Sequence, residues 1–124
     1  MKTPKMKKIF LAEDDPTMVT LLETLLKLEN FEAVKLDLAT DDLLSTLRAD
    51  PPQTLVLDVN LPNQSGIDII RQMRKEEIFK DTRVVMASGM NLKEKCLTSG
   101  ADDFLLKPYM PDELIKILQK YTQD

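Results

Sequence analysis

The chain has 124 residues, 43% of them hydrophobic and 31% charged, with a formal net charge of -4, which fits one globular domain and gives no surface of the kind that attracts polyanions. It contains no histidine and one cysteine, Cys96. A Ser-His-Asp triad, a His-ligated zinc, a cysteine metal cluster, an internal disulfide and a phosphohistidine on this chain are thereby excluded.

In chain order, KKIFLA (7–12) is a short β-favouring run, followed by Met18, Leu21, Leu22, Leu25 and Leu26 at helical spacing within 16–28. Asp15 and Pro16 form a favourable N-cap and N1 pair for that helix. ENFEAVKL reads as a turn and a second strand, and ATDDLLSTL as a helix with Thr40 as the expected cap. TLVLDV (54–59) is a continuous apolar strand after the breaker ADPPQ, and the polar loop NLPNQSG leads into the helix IDIIRQMRK. RVVMAS (83–88) is the fourth strand, NLKEKCLTSG a short helix stopped by Gly100, and DFLLK the fifth strand. PDELIKILQKY closes the chain as a helix with Leu114, Ile117, Leu118 and Tyr121 on one face.

Five strands alternating with five helices imply parallel pairing through right-handed crossovers, and strands this uniformly apolar imply a sheet covered on both faces. The expected fold is an open α/β sandwich occupying 1–124 as a single domain with no output domain, and the strand order expected for it, 2-1-3-4-5, is taken from the flavodoxin-like sheets that it resembles. No apolar stretch approaches the roughly 18 to 20 residues that span a bilayer, and the basic start MKTPKMKKIF lacks the features of a signal peptide. A cytoplasmic protein is expected, with a protein or a cation as partner and neither nucleic acid nor membrane.

Open parallel sheets bind ligands beyond the carboxyl ends of their strands, at the point where strand order reverses. Here the first strand ends in Glu13 and Asp14, the third in Asp58, the fourth in Ser88 and the fifth in Lys107. Asp14 and Asp58 would face each other across the switch point, where they repel unless a cation lies between them. Magnesium is the natural neutraliser, being a hard ion that takes one or two carboxylates and keeps sites for water and phosphate oxygens. Asn60 is placed to lend a backbone carbonyl. With Lys107 as a fixed positive charge and Ser88 as a hydroxyl donor, the edge offers Asp58 as a nucleophile toward a phosphoryl group. Asp15 is explained by capping, and Asp102 and Asp103 read as solvated turn acids. A cis Lys107–Pro108 bond is expected as the means of aiming the lysine.

EDD after the first strand, LDVNLPNQSG around the third, AS after the fourth and KP after the fifth resemble the receiver domains of two-component response regulators. The resemblance covers almost the whole chain. It implies Glu13 and Asp14 as the acidic pair, Glu13 being an outer partner of the ion, Asp58 as the phosphoacceptor and Asn60 as the carbonyl ligand to Mg2+. It further implies Ser88 as the switch hydroxyl, Lys107 as the phosphate-pairing lysine and Phe104 as the switch aromatic. The partners it implies are a sensor histidine kinase or histidine phosphotransfer protein and a downstream effector protein, with a monomer or a phosphorylation-dependent homodimer as the active form. Self-catalysed phosphotransfer and dephosphorylation are expected, without substrate turnover. Serine and phenylalanine stand where many receivers have threonine and tyrosine, and the span from Ser88 to Lys107 is short, so a shortened fourth helix is expected.

Two alternatives use overlapping chemistry. A haloacid dehalogenase-type phosphatase or phosphotransferase also forms an aspartyl phosphate with magnesium, but wants a second aspartate two residues after the nucleophile, where this chain has Asn60. A degenerate receiver that is never phosphorylated would be expected to have lost some of these positions. A flavin module would need a hydroxyl- and glycine-rich phosphate loop where three acids stand.

Overall fold

The computed structural model describes residues 7–122. Along the chain they form β1 (Lys7–Ala12), α1 (Pro16–Leu28), β2 (Phe31–Lys35), α2 (Leu43–Ala49), β3 (Thr54–Asp58), α3 (Gly66–Met73), a 3-10 turn (Glu77–Phe79), β4 (Arg83–Ser88), α4 (Lys93–Ser99), β5 (Asp103–Leu106) and α5 (Pro111–Thr122). The strands make one sheet in the order β2-β1-β3-β4-β5, the order expected by resemblance, with all neighbours parallel as the alternation of elements predicts.

Two-residue alternation along each strand feeds two cores. Ile9, Leu11, Val56, Val85, Ala87 and Leu105 turn to the face covered by Leu22 and Leu26 of α1 and Leu114 and Leu118 of α5. Phe10, Ala12, Leu55, Leu57, Val84, Met86 and Phe104 turn to the face covered by α2, α3 and α4. With both faces covered, polar chemistry is confined to the sheet edges. Cys96 of α4 is fully buried in the second core, and burial pushes its thiol pKa up.

Asp15 caps α1 as expected, its Oδ1 accepting from the Thr17 and Met18 amides at 2.9 and 3.3 Å. The expected cap of α2 is corrected. Asp42, not Thr40, is the N-cap: its carboxylate accepts from the Ser45 amide and hydroxyl at 3.2 and 2.6 Å. Thr40 instead accepts from the Asp42 amide at 3.1 Å, because an ionised carboxylate is the stronger acceptor for a helix N-terminus. The fourth helix is short, as expected, and ends where Gly100 takes a φ of 122°.

Asp102 is likewise corrected from a solvated turn acid to a structural one. Its Oδ2 accepts from the Val84 amide at 2.8 Å, and Arg74 and Arg83 reach its two oxygens at 3.2 and 3.3 Å. Arg74 also donates to the carbonyls of Gly100, Phe79 and Thr82 at 2.8 to 2.9 Å. One guanidinium thus gathers the loops entering β4 and β5 at the edge away from Asp58, and fixes the bases of the strands whose other ends carry Ser88 and Lys107.

Candidate functional site

Register decides which side chains meet. Ala12 pairs with Leu57 and Asp58 with Ala87, while Ser88 pairs with Leu106. The residues at or just past these ends are therefore Glu13 and Asp14 beside Asp58, then Ser88, then Lys107. The Lys107 amide donates to the Ser88 carbonyl at 2.8 Å, which extends the β4–β5 ladder to the lysine, and the Lys107–Pro108 bond is cis.

Asp58 is 2% exposed and Glu13 3% exposed. Lys107 Nζ joins them, 2.9 Å from Asp58 Oδ2 and 2.8 Å from Glu13 Oε1. Glu13 Oε2 also accepts from the Asp15 amide at 3.1 Å, so the residue that starts α1 also fixes the acid before it. Asp14 is exposed at the rim. One oxygen from each of Glu13, Asp14 and Asp58 lies within 4.8 Å of the others.

The charges do not balance. Burial, and then the neighbouring Glu13 carboxylate, push Asp58 up to about 8, with Lys107 opposing. Burial also acts to raise Glu13, but its hydrogen bonds with Asp58, Lys107 and the Asp15 amide outweigh this and hold it below its usual value. Burial would lower the Lys107 pKa, yet its bonds to the two carboxylates raise it, so the ammonium persists. The buried pair of carboxylates therefore favours holding a proton between them, with the upward push falling on Asp58. Asp58 Oδ1 is fully buried and has no hydrogen-bond partner.

Ser88 is buried, and its Oγ accepts from the Met90 amide at 3.1 Å, leaving its own proton free to donate. Asn60 is exposed in the loop after β3. That loop closes on itself through Gly66 N to Val59 O at 2.8 Å and Leu61 N to Gln64 O at 3.3 Å, around an Asn60–Ser65 bridge. Neither bond uses the Asn60 carbonyl. Phe104 is 9% exposed and packs in the core under α4 with Met86 and Cys96. The structure thus brings Glu13, Asp14, Asp58 and Lys107 together, sets Ser88 and Asn60 at the margins by register and loop, and keeps Phe104 in the core.

Tyr109 was not singled out by its sequence. It is 5% exposed, its hydroxyl is buried without a partner, and burial, with the charges of Glu13 and Asp58, raises its pKa. No sequence signal separates it from an ordinary packing aromatic after Lys107–Pro108. Because a buried unpaired hydroxyl costs free energy, Tyr109→Phe is expected to keep or raise stability by up to about 1 kcal/mol. Chemical denaturation would check this, and a loss of more than about 1 kcal/mol would reveal a partner for the hydroxyl.

The chain belongs to the response regulator receiver domain family, whose model matches residues 9–119. The cell cycle transcriptional regulator CtrA of Caulobacter vibrioides is 35% identical over 113 residues, covering 87% of this chain and 47% of that protein. The chain thus spans about half the length of this curated relative. The receiver domain of the Francisella response regulator 1452 superposes with a TM-score of 0.80 at 28% identity, over 94% of this chain and 99% of that one. The Vibrio cholerae chemotaxis response regulator CheY4, at 22% identity, shares the fold with a TM-score of 0.81 over 94% of this chain and 98% of that one. The chain is a signalling receiver of the two-component type. The dehalogenase alternative finds no support: the matching family and relatives are response regulators, and Asn60 stands where the second aspartate would be needed. Among the described residues no helix is long and apolar enough to cross a membrane.

Proposed function

We propose that this receiver is a phosphoacceptor switch in which Asp58 accepts a phosphoryl group from a phosphohistidine on a separate kinase or phosphotransfer protein. The observation that carries this reading is the state of Asp58: one oxygen is held by Lys107 and the other is buried with no partner. An orphaned carboxylate oxygen beside two further acids fits a hard cation that binds oxygen. Asp14, Asp58 and the Asn60 carbonyl would hold Mg2+, with Glu13 as an outer partner. Bound there, the ion would supply positive charge to the carboxylates and to the transferring phosphoryl oxygens.

The remaining chemistry belongs to the chain. Asp58 attacks as the carboxylate, so a proton held at the acid pair must leave it first. As its oxygen bonds to phosphorus, the phosphorus–nitrogen bond breaks and its electron pair returns to the donor imidazole. Lys107 keeps its charge and can pair with a phosphoryl oxygen, and the Ser88 hydroxyl can donate to another. Water attacking the same phosphorus would return Asp58 and free phosphate. Phe104 has no hydroxyl to exchange, so its part in switching would be packing alone, following Ser88 and β4 as they move toward the phosphoryl group.

Output would pass to an effector protein, and the setting would be the cytoplasm. CtrA is a transcriptional regulator about twice as long as the matched span, so the expectation of no nucleic-acid partner concerns this receiver alone.

Incubation with acetyl phosphate and magnesium, followed by intact-protein mass spectrometry, should show one added phosphate. The label should vanish without magnesium and in Asp58→Asn. A label that persists in that variant would move the acceptor elsewhere.

A further inference from the structure

Gln64 has no place in the chemistry above, yet its side chain is the bridge between two loops at the site. Its Oε1 accepts from the Leu43 amide at 3.1 Å and its Nε2 donates to the Thr40 carbonyl at 3.2 Å. Both partners belong to the β2–α2 segment. A primary amide that accepts from one backbone group and donates to another does what a neighbouring strand would do, and it ties the segments in one relative position.

The tie matters at both ends. Leu43 is the first residue of α2, and its N–H is one of the groups a helix leaves without an internal acceptor. Asp42 serves the Ser45 amide, and Gln64 serves Leu43. With seven residues, α2 is too short to hold its first turn by propensity alone. At the other end, the Gln64 carbonyl accepts from the Leu61 amide and closes the turn that presents Asn60. Beside this tie an open groove lined by Glu13, Asp14, Leu36, Asp37, Pro62 and Asn63 runs between the two segments.

We infer that Gln64 is a positioning residue for the Asn60 turn, and that through it the start of α2 responds to occupation of the carboxylate site. The inference rests on the reading of Asn60 as a carbonyl ligand. Ordering the turn from the site side would hold Gln64 still, and a still Gln64 keeps its acceptor on Leu43. The response would travel by the Gln64–Leu43 hydrogen bond to the first turn of α2.

The test compares the parent, Gln64→Leu and Gln64→Glu by magnesium titration and by amide exchange at Leu43, with and without magnesium plus beryllofluoride. Leucine removes both bonds; glutamate keeps an acceptor for Leu43 and loses the donor to Thr40. In the parent, exchange at Leu43 should slow by roughly tenfold on ligand addition. In Gln64→Leu that slowing should disappear, and the magnesium affinity should fall roughly 3- to 10-fold. Gln64→Glu should keep the slowing, a pattern that loss of a merely stabilising contact would not produce. Parent-like affinity or parent-like slowing in Gln64→Leu overturns the inference, as does Gln64→Glu behaving like leucine. If the parent itself binds no magnesium, the metal reading of the site fails instead, and the acetyl phosphate experiment identifies that case independently.

Discussion

Replacement of Asp58 by asparagine is expected to stabilise the metal-free protein, by a margin that widens between about pH 4 and about pH 8 and levels off at about 1 to 2 kcal/mol. The cause is the proton that the buried pair retains. Burial, and then the Glu13 carboxylate, push Asp58 up to about 8 in the folded protein against an ordinary 3.8. Across that interval the folded state holds a proton that the unfolded chain has released, and stability falls as pH rises. Glu13, held below its usual 4.5, acts in the opposite sense, but only below that value and so outside the window. Asparagine copies the protonated acid: its carbonyl can accept from Lys107 and its amide can donate to Glu13, with no charge to desolvate. The margin is smaller than the full shift implies, because the Lys107 side chain is 27% exposed and lets water screen the site.

Urea unfolding in chelator at about pH 5, 7 and 9 checks this. Parallel pH profiles for parent and variant would remove Asp58 as the source of the strain. Added magnesium should then stabilise the parent much more than the variant, since an ion that binds only the folded state raises its stability by mass action. In the parent the cation would take the place of the proton; in the variant there would be little left to neutralise.

How far the site was legible follows from which physical signals are local. Apolar runs ending in Asp14, Asp58, Ser88 and Lys107 were readable because strand polarity places all carboxyl ends on one edge. The depth of Asp58 was not, since burial depends on how α3 and the lysine close over it. The cap of α2 was misplaced because Thr40, Asp41 and Asp42 all suit a helix start, and only the Ser45 contacts choose among them. Asp102 read as solvent-facing because its partners, Arg74 and Arg83, lie 28 and 19 residues away. The 3-10 turn was missed because three residues carry no period, although its Phe79 is fully buried. Gln64 and Tyr109 escaped for the same reason as Asp102: their meaning lies in what the fold brings to them. Local chemistry named the edge, and long-range packing set its charge state.

Gly66→Ala should be the most damaging small substitution near the site, costing roughly 2 to 4 kcal/mol. A Cβ there would lie 2.1 Å from the Asp58 carbonyl oxygen and 3.0 Å from both the Asp58 carbonyl carbon and Val59 Cα. All three are backbone atoms, so no side chain can swing aside. The Gly66 amide also donates to the Val59 carbonyl at 2.8 Å, which draws the start of α3 against the strand end. Alanine favours a helix over glycine by about 1 kcal/mol, too little to offset so close an overlap. To relieve it, α3 must lift or the Asp58 peptide must rotate, and either moves the carboxylate from Lys107 and Asp14. Loss of stability should therefore come with a weaker magnesium response in whatever fraction stays folded. Gly89→Ala is the matched control, because a Cβ at that position meets nothing within 4 Å; it should unfold at the parent's midpoint and respond to magnesium as the parent does. If Gly66→Ala also matched the parent in both measurements, the approach of α3 to β3 could not be what holds Asp58 in place, and the seat of the carboxylate would have to lie in its bond to Lys107 alone.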